Sequence, residues 1–141
     1  MVITREADYA VRLMVGLAKR TQGTVVSARA LADEAGVPYE LARTILGNLA
    51  DAGILESRRG RSGGFLLARP ASQINLRDVL AVAGESLQLN ICVADPTNCG
   101  RSSDCPVHPL WSAASDVLRE FMSSQTLAAL ANSKEPVEAP C

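Results

Sequence analysis

Aromatic residues are scarce, at 4% of a 141-residue chain, and histidine occurs once, at His108. No apolar run approaches the ~18 residues of a transmembrane helix. The opening MVITREADYAV lacks the basic-then-apolar order of a secretory signal peptide. There is no Gly-rich phosphate loop, and a single histidine leaves little from which to build a catalytic site, so an enzyme is not expected. Internal repeats and low-complexity tracts are absent, which excludes a solenoid. What is present, 48% hydrophobic and 21% charged residues, is ordinary globular composition sized for one domain. The expectation is a cytoplasmic protein with no membrane partner.

The net charge of −1 conceals an asymmetry. Residues 1–70 carry ten Lys/Arg against seven Asp/Glu, whereas residues 71–141 carry four against eight. A cation-presenting half suits an anionic partner. Arg58, Arg59, Arg61 and Arg69 fall within twelve residues of that half.

Hydrophobic spacing predicts a mainly α protein with one small β-hairpin. Thr4 is positioned to cap a helix running to Arg20, with Ala7, Ala10, Val11, Met14, Leu17 and Ala18 on one face. Val25 and Val26 suit a short extended piece. Ser27 can cap a helix over Ala28–Ala35, with Leu31 and Ala32 inward and Gly36 as its stop. Pro38 suits the first position of a third helix whose stripe is Leu41, Ala42, Ile45, Leu46 and Leu49, ended by Gly53. Helix, glycine turn, helix is the helix-turn-helix pattern.

The next segment sharpens that reading. Strand-like Ile54–Ser57 and Phe65–Ala68 flank RRGRSGG, whose Gly- and Arg-rich composition cannot pack into a core. A hairpin with such a tip, directly after a helix-turn-helix, is a wing. Asn75 can cap a helix through Ala83 bearing Leu76, Val79 and Leu80. A loop of some twenty residues without regular structure follows. Beyond it, Leu110, Trp111, Ala114, Val117, Leu118 and Phe121 trace a long amphipathic helix to Met122, with a short returning piece over Leu127–Ala131. The expected organisation is a winged helix-turn-helix over 1–85, a metal-binding loop over 86–109, a dimerisation helix over 110–131 and a disordered tail over 132–141. A symmetric dimer can bury the stripe of the long helix, and such a dimer reads a palindromic double-stranded operator.

Cysteine usage is as uneven as charge. Cys92, Cys99 and Cys105 lie within fourteen residues, with His108 just beyond, whereas Cys141 ends the chain and is not expected to be a ligand. Three thiolates and an imidazole in one loop can converge on a metal centre. Structural zinc usually shows closely spaced cysteine knuckles. The wider gaps here suit an iron–sulfur cluster better, with zinc or no metal as the alternatives.

Three stretches, ITREADYAVRLM, RRGRSGGFLLARPASQINLRDVL and CPVHPLW after two upstream cysteines, resemble the winged-helix iron–sulfur repressors. That family includes the cluster-assembly, nitric-oxide-sensing and rhizobial iron regulators. The likeness implies a homodimeric transcription regulator, a repressor by type, whose operator affinity depends on a cluster sensing iron, redox state or nitric oxide. It implies Cys92, Cys99 and Cys105 as thiolate ligands. The fourth ligand is either His108 or Asp8 of the partner subunit, and 2Fe–2S stands slightly ahead of 4Fe–4S. Two other classes stay open: a small zinc- or cluster-bearing redox protein, and a metal-free winged helix that senses through its thiols.

On the DNA side, a recognition helix starting at Pro38 leaves Tyr39, Glu40, Arg43 and Thr44 outward. Arg43 can bind guanine and Glu40 can accept from cytosine. The resemblance makes Arg59 the minor-groove arginine. Arg58 and Arg61 are expected on phosphates, and Ser27 can offer a hydroxyl to another.

Overall fold

The structure, a computed structural model, describes residues 2–133. Of the expected disordered tail over 132–141, Asn132 instead ends the last helix, and residues 134–141, Cys141 among them, lie outside the described residues.

Among the described residues, seven α-helices and one hairpin follow in order: α1 Arg5–Ala18, α2 Ala28–Ala35, α3 Tyr39–Asp51, β1 Leu55–Arg58, β2 Gly64–Leu67, α4 Leu76–Val82, α5 Ile91–Ala94, α6 His108–Ser124 and α7 Leu127–Asn132. The three expected caps are present. Thr4 Oγ1 accepts from the Ala7 N–H at 3.2 Å, Ser27 Oγ from Ala30 at 3.1 Å, and Asn75 Oδ1 from Asp78 at 3.0 Å. Each satisfies one of the N–H groups that a helix start leaves unpaired. Gly36 stops α2 at φ +66°, a left-handed conformation that favours glycine. Pro38 stands one position outside the expected place: with ψ +132° it is the residue before α3, not its first helical residue.

Helices α1, α2 and α3 bury their facing stripes in a single apolar core. Leu13, Met14, Leu31, Leu46 and Leu49 are each exposed by no more than 1%. Leu13 takes an inward place in α1, while Val11 and Ala18 pack only partly against this core. The hairpin is antiparallel in the register Leu55↔Leu67, Glu56↔Leu66, Ser57↔Phe65, Arg58↔Gly64, one residue displaced from the expected strands. The segment before α2 joins it. Val26 and Phe65 exchange backbone hydrogen bonds of 2.9 and 2.8 Å, so the extended piece at Val26 becomes a third, one-residue rung. Gly64 permits this approach. A Cβ there would lie 2.2 Å from the Val26 carbonyl oxygen.

In the second half, the long helix ends at Ser124, two residues beyond the expected Met122, and the expected returning piece is α7, so the dimerisation segment 110–131 holds two helices. The chain breaks at Gln125, extended at ψ +117°, and α7 turns back onto α1. An Asn75↔Thr126 bridge and the hydrogen bonds Leu76 N–H to Gln125 O and Leu127 N–H to Ile74 O fix the turn. Leu127, fully buried, thereby joins the winged-helix core. The loop, moreover, is not structureless. It holds α5, a 3₁₀ turn over Pro96–Asn98 and a run of turns up to α6. No helix among the described residues is long and apolar enough to cross a membrane.

Candidate functional site

Of the side chains expected at DNA, Ser27, Pro38, Glu40, Arg43, Thr44, Arg58, Arg59 and Arg61 are exposed and Tyr39 is half-buried. Arg43 lies 3.5 Å from Glu40 on the next turn of α3, and Arg58 lies 3.1 Å from Glu56 in β1. Thr44 donates its hydroxyl to the Glu40 carbonyl at 3.2 Å. Arg59 and Arg61 are exposed at the hairpin tip between β1 and β2, and no ion pair among the described residues holds either. Ser27 spends an oxygen lone pair on its own helix and keeps its O–H to donate.

One residue was not anticipated from the sequence. Arg29, in the first turn of α2, stacks on the Tyr39 ring with its guanidinium carbon 3.8 Å from the centroid. Arg43 lies 5.8 Å from the same centroid. Such contacts contribute about 0.5–1 kcal/mol at exposed sites. Reading α2 only for its inward residues passes over Arg29, and no spacing rule pairs it with Tyr39 across the turn.

The cysteine loop forms the second site. Cys92, Cys99, Cys105 and His108, distant in sequence by up to sixteen positions, line one cavity of about 250 Å³ together with Asn90, Ser102 and Trp111. Cys92 is buried on α5, Cys99 and Cys105 are half-buried, and all three thiols are free. His108 occupies the first turn of α6 and not the loop before it; its Nδ1 is buried without a hydrogen-bond partner. Among the described residues, no three His, Cys, Asp or Glu side chains meet closely enough to hold a single metal ion.

The loop is braced by its own polar groups. The Asp95 carboxylate accepts from the Thr97 N–H at 3.0 Å, the Thr97 hydroxyl at 2.6 Å and the Asn98 amide at 3.3 Å. The Thr97 hydroxyl bond, and then the backbone one, hold the Asp95 carboxyl below the usual range. The Ser102 hydroxyl reaches the Pro96 and Cys99 carbonyls at 2.9 and 3.1 Å. At the loop start, the Leu89 N–H donates to Ser115 Oγ of α6 at 3.0 Å, and that hydroxyl donates to the Trp111 carbonyl at 2.7 Å. Asp8, the other candidate ligand, is paired with Arg12 at 2.9 Å.

The stripe of α6 divides between two faces. Leu118 and Met122 pack on the small cluster of Ala7, Leu80 and Leu87 in the same chain. Trp111 lines the cysteine cavity while remaining 37% exposed. Leu110 and Val117 are 60% and 67% exposed, with Ala114 and Phe121 partly covered at the same helical spacing. Leu118 is therefore an intrachain core contact. The outward face keeps the other seam candidates.

Known proteins carry the same architecture. The Rrf2 family profile, described as an iron-dependent transcriptional regulator, matches residues 3–133. The chain belongs to the Rrf2 family. It is 35% identical over 138 residues to a Mycobacterium tuberculosis chain provisionally named an HTH-type transcriptional regulator, covering 96% of this chain and 84% of that one. It is 28% identical over 138 residues to the Escherichia coli HTH-type transcriptional regulator IscR, covering 98% and 85%. The oxidized form of Staphylococcus aureus CymR superposes with a TM-score of 0.74 at 28% identity, covering 96% of this chain and all of that one. This Rrf2 protein is a winged-helix, DNA-binding transcriptional regulator and not an enzyme.

Proposed function

We propose that this Rrf2 regulator is a homodimeric repressor whose affinity for a palindromic operator is set by an iron–sulfur cluster held by Cys92, Cys99, Cys105 and His108. The observation that carries the reading is the cavity that all four residues line, three of them with free thiols, while the Nδ1 of His108 is buried without a hydrogen-bond partner. A buried ring nitrogen without a partner is destabilising unless something fills its need. Donors that wall a cavity, and do not meet at a point, suit a centre whose irons are spread apart better than a single zinc ion. His108 serves as the fourth ligand in preference to Asp8 of the partner subunit, because Asp8 is engaged by Arg12. A bound cluster would supply a redox- and iron-sensitive cross-link between α5 and the start of α6.

The exposed Leu110–Val117 face of α6 is the dimer seam in this reading. The two recognition helices must then sit about 34 Å apart, one DNA turn, to engage both half-sites. Because α6 both bears His108 and forms the seam, ligation in the loop biases the spacing of the two α3 helices. A bias of about 1.4 kcal/mol changes affinity tenfold. The holo-protein is the tighter binder.

A second reading, sensing by thiol oxidation without a cluster, draws support from the likeness to a CymR solved in an oxidized form. Anaerobic purification with absorption and Mössbauer spectra separates the two. The cluster reading expects a coloured protein that loses its chromophore in each of Cys92→Ala, Cys99→Ala and Cys105→Ala, and an operator, selected from random duplexes, that binds holo-protein at least several-fold more tightly than apo. A colourless protein whose DNA affinity responds to peroxide favours the thiols. Equal holo and apo affinities overturn cluster control.

A further inference from the structure

We infer that Arg29 is a DNA-phosphate contact, held in place by the Tyr39 ring, and that α2 thereby adds a binding residue of its own to the interface formed by α3 and the wing. Three observations carry this. Arg29 is exposed, and its guanidinium carbon lies over the Tyr39 ring, 3.8 Å from the centroid, at the start of the recognition helix. Among the described residues no carboxylate pairs with it, whereas Arg43 and Arg58 each have a glutamate neighbour. Its guanidinium is thus fixed in position while its N–H groups stay free to donate.

A guanidinium can do both at once. Its planar face lies on the aromatic ring while its edge presents a fork of donors matched to phosphate oxygens. Stacking restricts the side chain before DNA arrives, so less rotamer freedom is lost on contact. The location is also suitable. In a helix-turn-helix the first helix of the pair crosses the DNA backbone while the second enters the major groove with its N-terminal residues leading. Arg29 stands on the first, against the first residue of the second. Tyr39 is then a positioning residue for Arg29 as well as a groove-facing side chain. Arg43 flanks the same ring at 5.8 Å, so that one ring carries arginines from both helices.

The test is titration of a fluorescent mixed-sequence DNA duplex with wild-type, Arg29→Ala, Arg29→Lys and Tyr39→Leu proteins across a range of salt. Each phosphate neutralised contributes about −0.9 to the slope of log affinity against log salt. Arg29→Ala should flatten the slope by about that amount and weaken low-salt binding about three- to tenfold. Arg29→Lys should keep most of the slope, because the charge remains, yet bind less tightly, because an ammonium does not stack as a guanidinium does. Tyr39→Leu should weaken binding with less change in slope than Arg29→Ala. Thermal midpoints, expected to be nearly unchanged for the exposed Arg29 variants, guard against misfolding. An unaltered salt slope in Arg29→Ala, or a loss of affinity equal at every salt concentration, overturns the phosphate contact and leaves Arg29 a brace between α2 and α3.

Discussion

The winged helix and the cysteine loop are held together by different physics. Eighteen buried residues, drawn from α1, α2, α3, the hairpin, α4, α7 and their connections, form one continuous apolar core in the winged helix. Between residues 88 and 114, Cys92 alone is buried. That segment keeps its shape through Asp95, Ser102 and the Ser115 hydroxyl, with the exposed Ile91 and Leu110 left uncovered. Apolar burial is non-directional and stabilises a fold whatever is bound, whereas a loop with one buried residue, whose side-chain hydrogen bonds are mostly exposed, opens at lower cost. The reading platform is therefore prebuilt, and the cysteine loop is the region whose order a bound group or a second subunit can change.

The strongest way to break that distinction is at Leu127. It lies beyond the loop in sequence but is fully buried in the winged-helix core. Leu127→Ala should destabilise the protein by about 2–5 kcal/mol in urea unfolding, the usual cost of a leucine-sized cavity. Cys92→Ala, in the loop, should cost clearly less. A Leu127→Ala cost no greater than that of Cys92→Ala would remove the distinction between the halves.

The difference between the halves also explains what the sequence disclosed. Thr4, Ser27 and Asn75 cap their helices because capping is local: a side chain reaches a backbone N–H three residues on, and spacing alone reports it. The stripe of α3 was legible for the same reason. The returning piece over Leu127–Ala131 was legible too, but the burial of Leu127 was not, because it depends on which elements α7 meets after the break at Gln125. The inward turn of Leu118 was equally hidden, since one amphipathic stripe serves both the chain's own core and a partner. At the site, the cysteines and His108 were visible as residue types. The Arg29–Tyr39 stack and the Leu89–Ser115 bond join separate elements and became visible only in three dimensions.

The second break lies within the DNA-binding half. If the wing is prebuilt, its exposed arginines act separately. Arg59→Ala should weaken binding by about 1–3 kcal/mol, mostly for sites with a narrow A·T-rich minor groove. Arg58→Ala and Arg61→Ala should weaken all sequences about equally and flatten the salt dependence. Arg58 should show the smaller effect of the two, because Glu56 already neutralises part of its charge at 3.1 Å. Gel-shift titrations on A·T-rich and G·C-rich duplexes at fixed salt check both. Three unchanged affinities would dismiss the hairpin as a wing.

The smallest expected effect sharpens the comparison most directly. Ser115 is fully buried and ties the loop to α6 by accepting from the Leu89 N–H, while donating to its own helix at Trp111. Ser115→Ala removes the acceptor and leaves a partly buried N–H unpaired, at about 1 kcal/mol. Alanine is the better helix former, by up to about 0.7 kcal/mol, which offsets much of that cost in global unfolding. The two terms act in different places: the gain is spread along α6, whereas the loss falls on the loop start. Hydrogen exchange separates them. The amides from Leu89 through Cys92 should lose protection in Ser115→Ala while those of α3 keep theirs, because the winged-helix core shares none of the broken bonds. Equal loss of protection in α3 and the loop would mean that the halves open as one unit, and a loop that can be ordered independently of the reading platform would no longer describe this protein.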